Sequence, residues 1–157
     1  MKKILKSLLV FLFIFIICGC SNKKSERIVK CTLEQNNVAY EYKLSSEYNI
    51  YTDGNIVNKV ETTEIATSNK QEILDSLENY NNTLYTNMNN AYGGYEFKIT
   101  NENGTLTAVT KIDYTKLNNE KLAKDQPTMK NYMNSDYRFT LDGIKALYKS
   151  LGATCEE

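Results

Sequence analysis

The chain has 157 residues, 41% of them hydrophobic, and a formal net charge of zero. With no Lys/Arg run outside the termini, that balance argues against nucleic acid, which needs a concentrated basic face. Histidine and tryptophan are both absent, so the commonest general base and the commonest transition-metal ligand are missing.

The first segment reads as an address. Lys2, Lys3 and Lys6 precede an unbroken apolar run, Leu8–Ile17. A membrane-crossing helix needs about 20 apolar residues, whereas runs of about 10–14 read as the core of a signal peptide. Ile17-Cys18-Gly19-Cys20 follows and has the form of a bacterial lipobox. The expectation is a signal peptide over residues 1–19, a lipidated Cys20, a polar tether over 20–27 and one extracytoplasmic domain over 28–157. The membrane is then a partner, held through diacylglycerol and acyl groups on Cys20. Two or three chains bury enough methylenes, at about 0.8 kcal/mol each, for stable anchoring. The expected location is the cell membrane, on its extracytoplasmic face. Two readings compete: an uncleaved membrane anchor, which the short span disfavours, and a signal peptide cut elsewhere.

Four cysteines occur. Cys18 leaves with the signal and Cys20 takes the lipid. Cys31 and Cys155 remain, one at each end of the domain. In an oxidising compartment they point to a disulfide. The alternative is two buried thiols.

Beyond the tether, Ile28–Leu33 reads as a first strand and Asn36-Asn37 as a turn. Val38, Tyr40, Tyr42 and Leu44 alternate with Ala39, Glu41 and Lys43, the pattern of a half-buried strand. Glu47–Thr52 and Ile56–Ile65 flank Asp53-Gly54, a hairpin signal. The second arm is mixed in phase, which suits a bulge. Ser68 and Gln71 have capping-box spacing. Ile73, Leu77, Tyr80, Leu84 and Met88 then define an apolar helical stripe, widened by Leu74 and Tyr85, over residues 70–90. Gly93-Gly94 suits its end. Tyr95, Phe97 and Ile99 alternate toward Asn103-Gly104, a second hairpin turn. Leu106, Ala108, Ile112 and Tyr114 form the inner face of the returning strand. Lys116–Lys124 reads as a short helix and 125–139 as a loop. Thr140 caps a last helix carrying Leu141, Ile144, Leu147, Tyr148 and Leu151, which Gly152 ends. The fold class is α+β: a two-layer sandwich with an antiparallel sheet of hairpins and helices packed on one face.

No phosphate loop, nucleophile elbow, zinc-protease motif or calcium loop appears in the sequence. The expectation is therefore no catalytic residue, metal or cofactor, and no enzyme. Glu61 and Glu64 fall on opposite faces of a strand and read as solvated surface. Asp113, at a strand end, reads as the cap of the following turn. The twelve tyrosines divide in two. Tyr40, Tyr42, Tyr80, Tyr95, Tyr114 and Tyr148 sit on expected inner faces and read as core. Tyr48, Tyr51, Tyr92, Tyr132 and Tyr137 lie near turns or in the 125–139 loop and are the candidates for a contact surface, since tyrosine combines flat apolar area with a polar tip.

The lipobox at Cys20, the early hairpin strands, the mid-chain helix, Lys111-Ile112-Asp113-Tyr114 with Lys116, and a final helix ending in Leu151-Gly152 together resemble the YehR-like family of small bacterial lipoproteins, a domain of unknown function. The resemblance covers nearly the whole chain, and the order of elements carries most of its weight. It implies a two-layer domain exposed outside the cytoplasm and supplies no enzymatic residues. The functional expectation is a non-enzymatic, lipid-tethered module that contacts a protein partner or envelope component. The alternative is a small-ligand receptor or transport accessory.

Overall fold

The computed structural model describes residues 26–157. The expected signal peptide and Cys20 lie outside them. Strands β1 (Arg27–Asn37), β2 (Tyr42–Asp53) and β3 (Ile56–Thr67) lead into helix α1 (Gln71–Tyr92). Strands β4 (Tyr95–Glu102) and β5 (Thr105–Asp113) follow, then α2 (Asn119–Asp125), a 3-10 turn (Pro127–Tyr132), α3 (Leu141–Ser150) and β6 (Thr154–Cys155). The six strands form one antiparallel sheet in the order β4-β5-β3-β2-β1-β6. The helices cover one face of it, which is the expected α+β class. Among the described residues no helix is long and apolar enough to cross a membrane.

Both tight hairpins form where small turn residues permit a positive φ. Asn103 and Gly104 adopt φ of 52° and 73°, the left-handed geometry that a two-residue turn requires. The first turn is Gly54-Asn55, with Gly54 alone at positive φ (60°), one residue later than the Asp53-Gly54 pair, because Asp53 still pairs with Ile56. The expected bulge is present. Tyr51 faces Lys59 while Thr52 faces Val57, so Asn58 is the extra residue. It switches the phase of β3 and lets Val57 and Val60 both point into the core, at 2% and 0% exposure.

Cross-strand rows organise the inner face. Cys155, Cys31, Tyr48, Thr62, Thr110 and Phe97 are successive neighbours across all six strands. Cys31 and Cys155 form the disulfide, S–S 2.00 Å. The next row runs Val29, Ile50, Val60, Ile112, Tyr95. Onto these rows α3 lays Ile144 and Tyr148, with Thr140 capping it by accepting a hydrogen bond from the Gly143 amide at 3.0 Å. The outer face carries Lys30–Glu47, Lys59–Glu61 and Lys111–Glu96 ion pairs at 2.7, 2.9 and 3.2 Å. Exposed pairs of this kind contribute only about 0–1 kcal/mol each.

Four local expectations are corrected. Val38–Tyr40 is a 3-10 turn inside a four-residue hairpin loop, because Asn37 already pairs with Tyr42. Ser68 forms no capping box. Lys70 occupies the cap position, and Ser68 Oγ accepts from the Lys70 amide while donating to the Glu41 carbonyl. The helix expected from Lys116 starts at Asn119, because Asp113 and Thr115 close a turn of their own and Asn118 caps the helix through the Lys121 amide. The 125–139 loop contains a 3-10 turn and a small bridge between Met133 and Phe139.

α1 ends at Gly93 and Gly94, with φ of 73° and 78°. The Gly94 carbonyl accepts from the Asp113 amide at 2.8 Å, and a Cβ on Gly94 would stand 2.8 Å from the Asp113 carbonyl oxygen. Only glycine allows both the left-handed φ and that approach. The contact fixes the end of α1 against β5, and so sets how the helix lies over the sheet.

Candidate functional site

α1 covers one side of the apolar stripe read from periodicity, that of Leu74, Leu77, Tyr85 and Met88. Leu74 and Tyr92 are buried, and Leu77, Asn81, Tyr85 and Met88 lie half-covered between them. These positions recur every three or four residues and face β3, β4 and β5. Ile73 is only half-buried, Leu84 is exposed and Tyr80 is 63% exposed. The helix is thus turned so that part of its apolar surface borders solvent.

That surface continues onto the β1–β2 loop. Tyr40, 68% exposed, lies with Ile73 and Leu77 around a groove of about 350 Å³. Val38 next to it is exposed as well. Tyr42 and Leu77 pass the lining on to a second cavity of about 190 Å³, which lies between α1 and strands β2, β3 and β5. Leu44, Ala66, Leu77, Leu106 and Ala108 wall this cavity, and Tyr80 and Asn81 also line it. A further gap of about 590 Å³ at the end of the sheet is open to solvent and lined by turn residues such as Asn36, Asn69 and Asn103.

One carboxylate lines the 190 Å³ cavity, that of Glu64, together with Tyr42 and Tyr80. It is half-buried, not solvated surface as expected, because the Asn58 bulge puts Thr62, Glu64 and Ala66 on the inner face with Val60. Burial pushes its carboxyl above the ordinary value of 4.5, while the hydrogen bond from Tyr85 opposes the rise. Tyr85 Oη donates to Glu64 Oε2 at 3.0 Å. Burial first, then the Glu64 charge, drives the Tyr85 phenol well up. Among the described residues no ion pair reaches Glu64. Ser46 stands directly opposite Glu64 across the β2–β3 ladder, and Thr110 is a diagonal neighbour on β5. Both are 2% exposed, Ser46 beside the Tyr48 phenol and Thr110 beside the Tyr85 phenol.

The structure does not bring the five candidate contact tyrosines together on one face. Tyr48 is 5% exposed and stacks on Tyr148 in the core. Tyr92 is buried beside α2, its hydroxyl directed at Asp125. Tyr51 lies on the outer face, donating to Glu61 at 2.7 Å with Lys59 Nζ 3.7 Å from its ring centre. Tyr132 packs half-buried against the core, and Tyr137 is half-buried with φ of 57°. Conversely, Tyr40 and Tyr80, expected inside, are exposed. The β1–β2 loop carries the first out of the strand pattern, and the rotation of α1 carries the second. Tyr114 and Tyr148 are buried as expected. Tyr95 packs against the core, where burial pushes its phenol up to about 12. Asp113 caps its turn by accepting from the Thr115 amide at 3.1 Å. Among the described residues no group of three His, Cys, Asp or Glu is placed to hold a metal ion.

This arrangement of one antiparallel sheet under helices is shared with two solved structures. The Escherichia coli YehR protein, solved by NMR, matches with a TM-score of 0.52 at 15% identity, over 83% of this chain and 92% of that one. A protein from Streptococcus pneumoniae TIGR4, also solved by NMR, matches at 0.51 and 11% identity, over 87% and 88%. At these identities the likeness is one of fold, and it agrees with the resemblance read from the order of elements. No family model matches the chain, and no curated protein matches its sequence.

Proposed function

We propose that this chain is a lipid-anchored lipoprotein of the extracytoplasmic face, and that its domain is a non-enzymatic binding module contacting a protein partner. The observation that carries the binding reading is an apolar strip in which Val38, Tyr40, Tyr80 and Leu84 are exposed and Ile73 is half-buried. Contiguous apolar surface of this kind, rimmed by polar residues, is characteristic of interaction sites. Tyrosine at its centre supplies large contact area at small entropic cost. The lipobox at Cys20 supports the anchor, and the Cys31–Cys155 bridge suits an oxidising compartment.

Two measurements test this. Palmitate labelling of intact cells should mark the native chain and not Cys20→Ser; equal labelling would remove the anchor. A photocrosslinking residue at position 80 should capture a discrete partner that Leu84→Lys abolishes, while one at Thr63 on the outer face should not. Identical products from both positions would overturn the strip as the contact surface. The second reading, a small-ligand receptor, is favoured by the cavity at Glu64.

A further inference from the structure

We propose that the cavity between α1 and the sheet is a binding site for an alkylammonium group, with Glu64 receiving the cation and the apolar walls receiving a short carbon chain. The proposal rests on the small-ligand reading and names its chemistry.

Charge complementarity is the first argument. An ionised carboxylate offers about four acceptor positions. Glu64 uses one, for the Tyr85 hydroxyl, and no lysine or arginine among the described residues pairs with it. A half-buried carboxylate without a cation is costly, and a buried charge ordinarily finds a partner. Tyr85 fixes the carboxylate by one oxygen and leaves the other free of any hydrogen bond the structure gives. An ammonium group carries three donors and no acceptor, which matches the Glu64 carboxylate in this cavity.

Size and lining supply the second argument. Leu44, Ala66, Leu77, Leu106 and Ala108 give the cavity an apolar wall suited to methylenes, and Tyr42, Tyr80 and Asn81 complete its lining. Its volume of about 190 Å³ corresponds to about six water-sized groups, which accommodates an ammonium and four or five carbons.

The chemistry has two sources: a free amine, or a lysine side chain presented by a polypeptide. The experiment titrates the full chain, held in detergent, with n-pentylamine, 1-pentanol and Nα-acetyl-lysine-N-methylamide, and follows the Ala66 and Ala108 methyl resonances. Pentylamine should shift both methyls, and Glu64→Gln should weaken its binding at least about tenfold, the loss expected for one charged hydrogen-bonded contact. The melting temperature of Glu64→Gln confirms that the variant folds, and Glu64→Asp should retain part of the affinity. If pentylamine alone binds, the source is a free amine; if the lysine derivative binds as tightly, it is a polypeptide lysine. Pentanol binding as tightly as pentylamine, or amine binding untouched by Glu64→Gln, would overturn the ammonium assignment and leave the receptor reading standing. Methyls unmoved by all three probes would end both.

Discussion

Tyr48 and Tyr148 stack face to face, ring centroids 4.1 Å apart and planes inclined by 20°. Tyr48 stands beside Cys31 in the same cross-strand row, and Tyr148 comes from α3. This contact and the disulfide therefore hold the C-terminal segment to β1 and β2 from two directions. Tyr148→Ala should cost about 3–5 kcal/mol, the range for deleting a buried aromatic. Tyr148→Phe keeps the ring and should cost far less. Urea denaturation of both variants checks this; equal losses would mean that the hydroxyl, not the stack, carries the energy.

The disulfide closes a span of 124 residues. In the chain-entropy view such a closure stabilises by up to about 5 kcal/mol. Cys31→Ser with Cys155→Ser should lower the melting temperature by many degrees. Intact mass before and after reduction gives the direct check, and free thiols in protein isolated without reductant would refute the pairing.

Glu64 provides a pH signature. Burial raises its folded-state pKa above 4.5, so the folded state holds its proton longer than the unfolded chain does. Below 4.5 both states are protonated and the group is neutral to stability. As the pH rises from 4.5 through the raised folded value the unfolded chain ionises first, and stability falls to a lower plateau. The groups facing it, Tyr85 from α1, Tyr48 from β2 and Tyr148 from α3, stay protonated across that window. Glu64→Gln should therefore melt higher than the native chain at neutral pH, with the gain fading in acid. A gain that is constant with pH would place the carboxyl in water.

Gly143, in the first turn of α3, packs so closely that a Cβ would lie 2.2 Å from the Tyr132 carbonyl oxygen. That oxygen also accepts from the Thr140 amide at 3.1 Å. Gly143→Ala must push the 3-10 turn away, at about 1–3 kcal/mol, although alanine is the better helix former. Thermal melting reads the sign directly.

The exposed strip predicts a separation of stability from binding. Tyr80→Lys and Leu84→Lys replace exposed side chains, so each should change stability by less than about 0.5 kcal/mol. Partner capture should fall in both. Variants that unfold instead would show that the two side chains belong to the core.

The amino-acid sequence by itself determined the elements whose causes are local. The Asn103-Gly104 hairpin, the Thr140 cap, the Gly93-Gly94 stop and the alternation of β4 and β5 depend on neighbours a few residues away, and each is where the pattern puts it. The pairing of Cys31 with Cys155 was legible because only two cysteines remain for the domain. What tertiary structure alone decided is the orientation of each apolar face. Ile73, Leu77, Tyr80, Leu84, Met88 and Leu74, Leu77, Asn81, Tyr85, Met88 are both sound helical stripes, and they share Leu77 and Met88. The choice between them was made by the Gly94–Asp113 contact and by Leu74 seating on Ala66 and Leu106. Glu64 turned inward for a similar reason. One inserted residue, Asn58, inverts the side-chain phase of β3, and a strand's period of two carries that inversion to every later position.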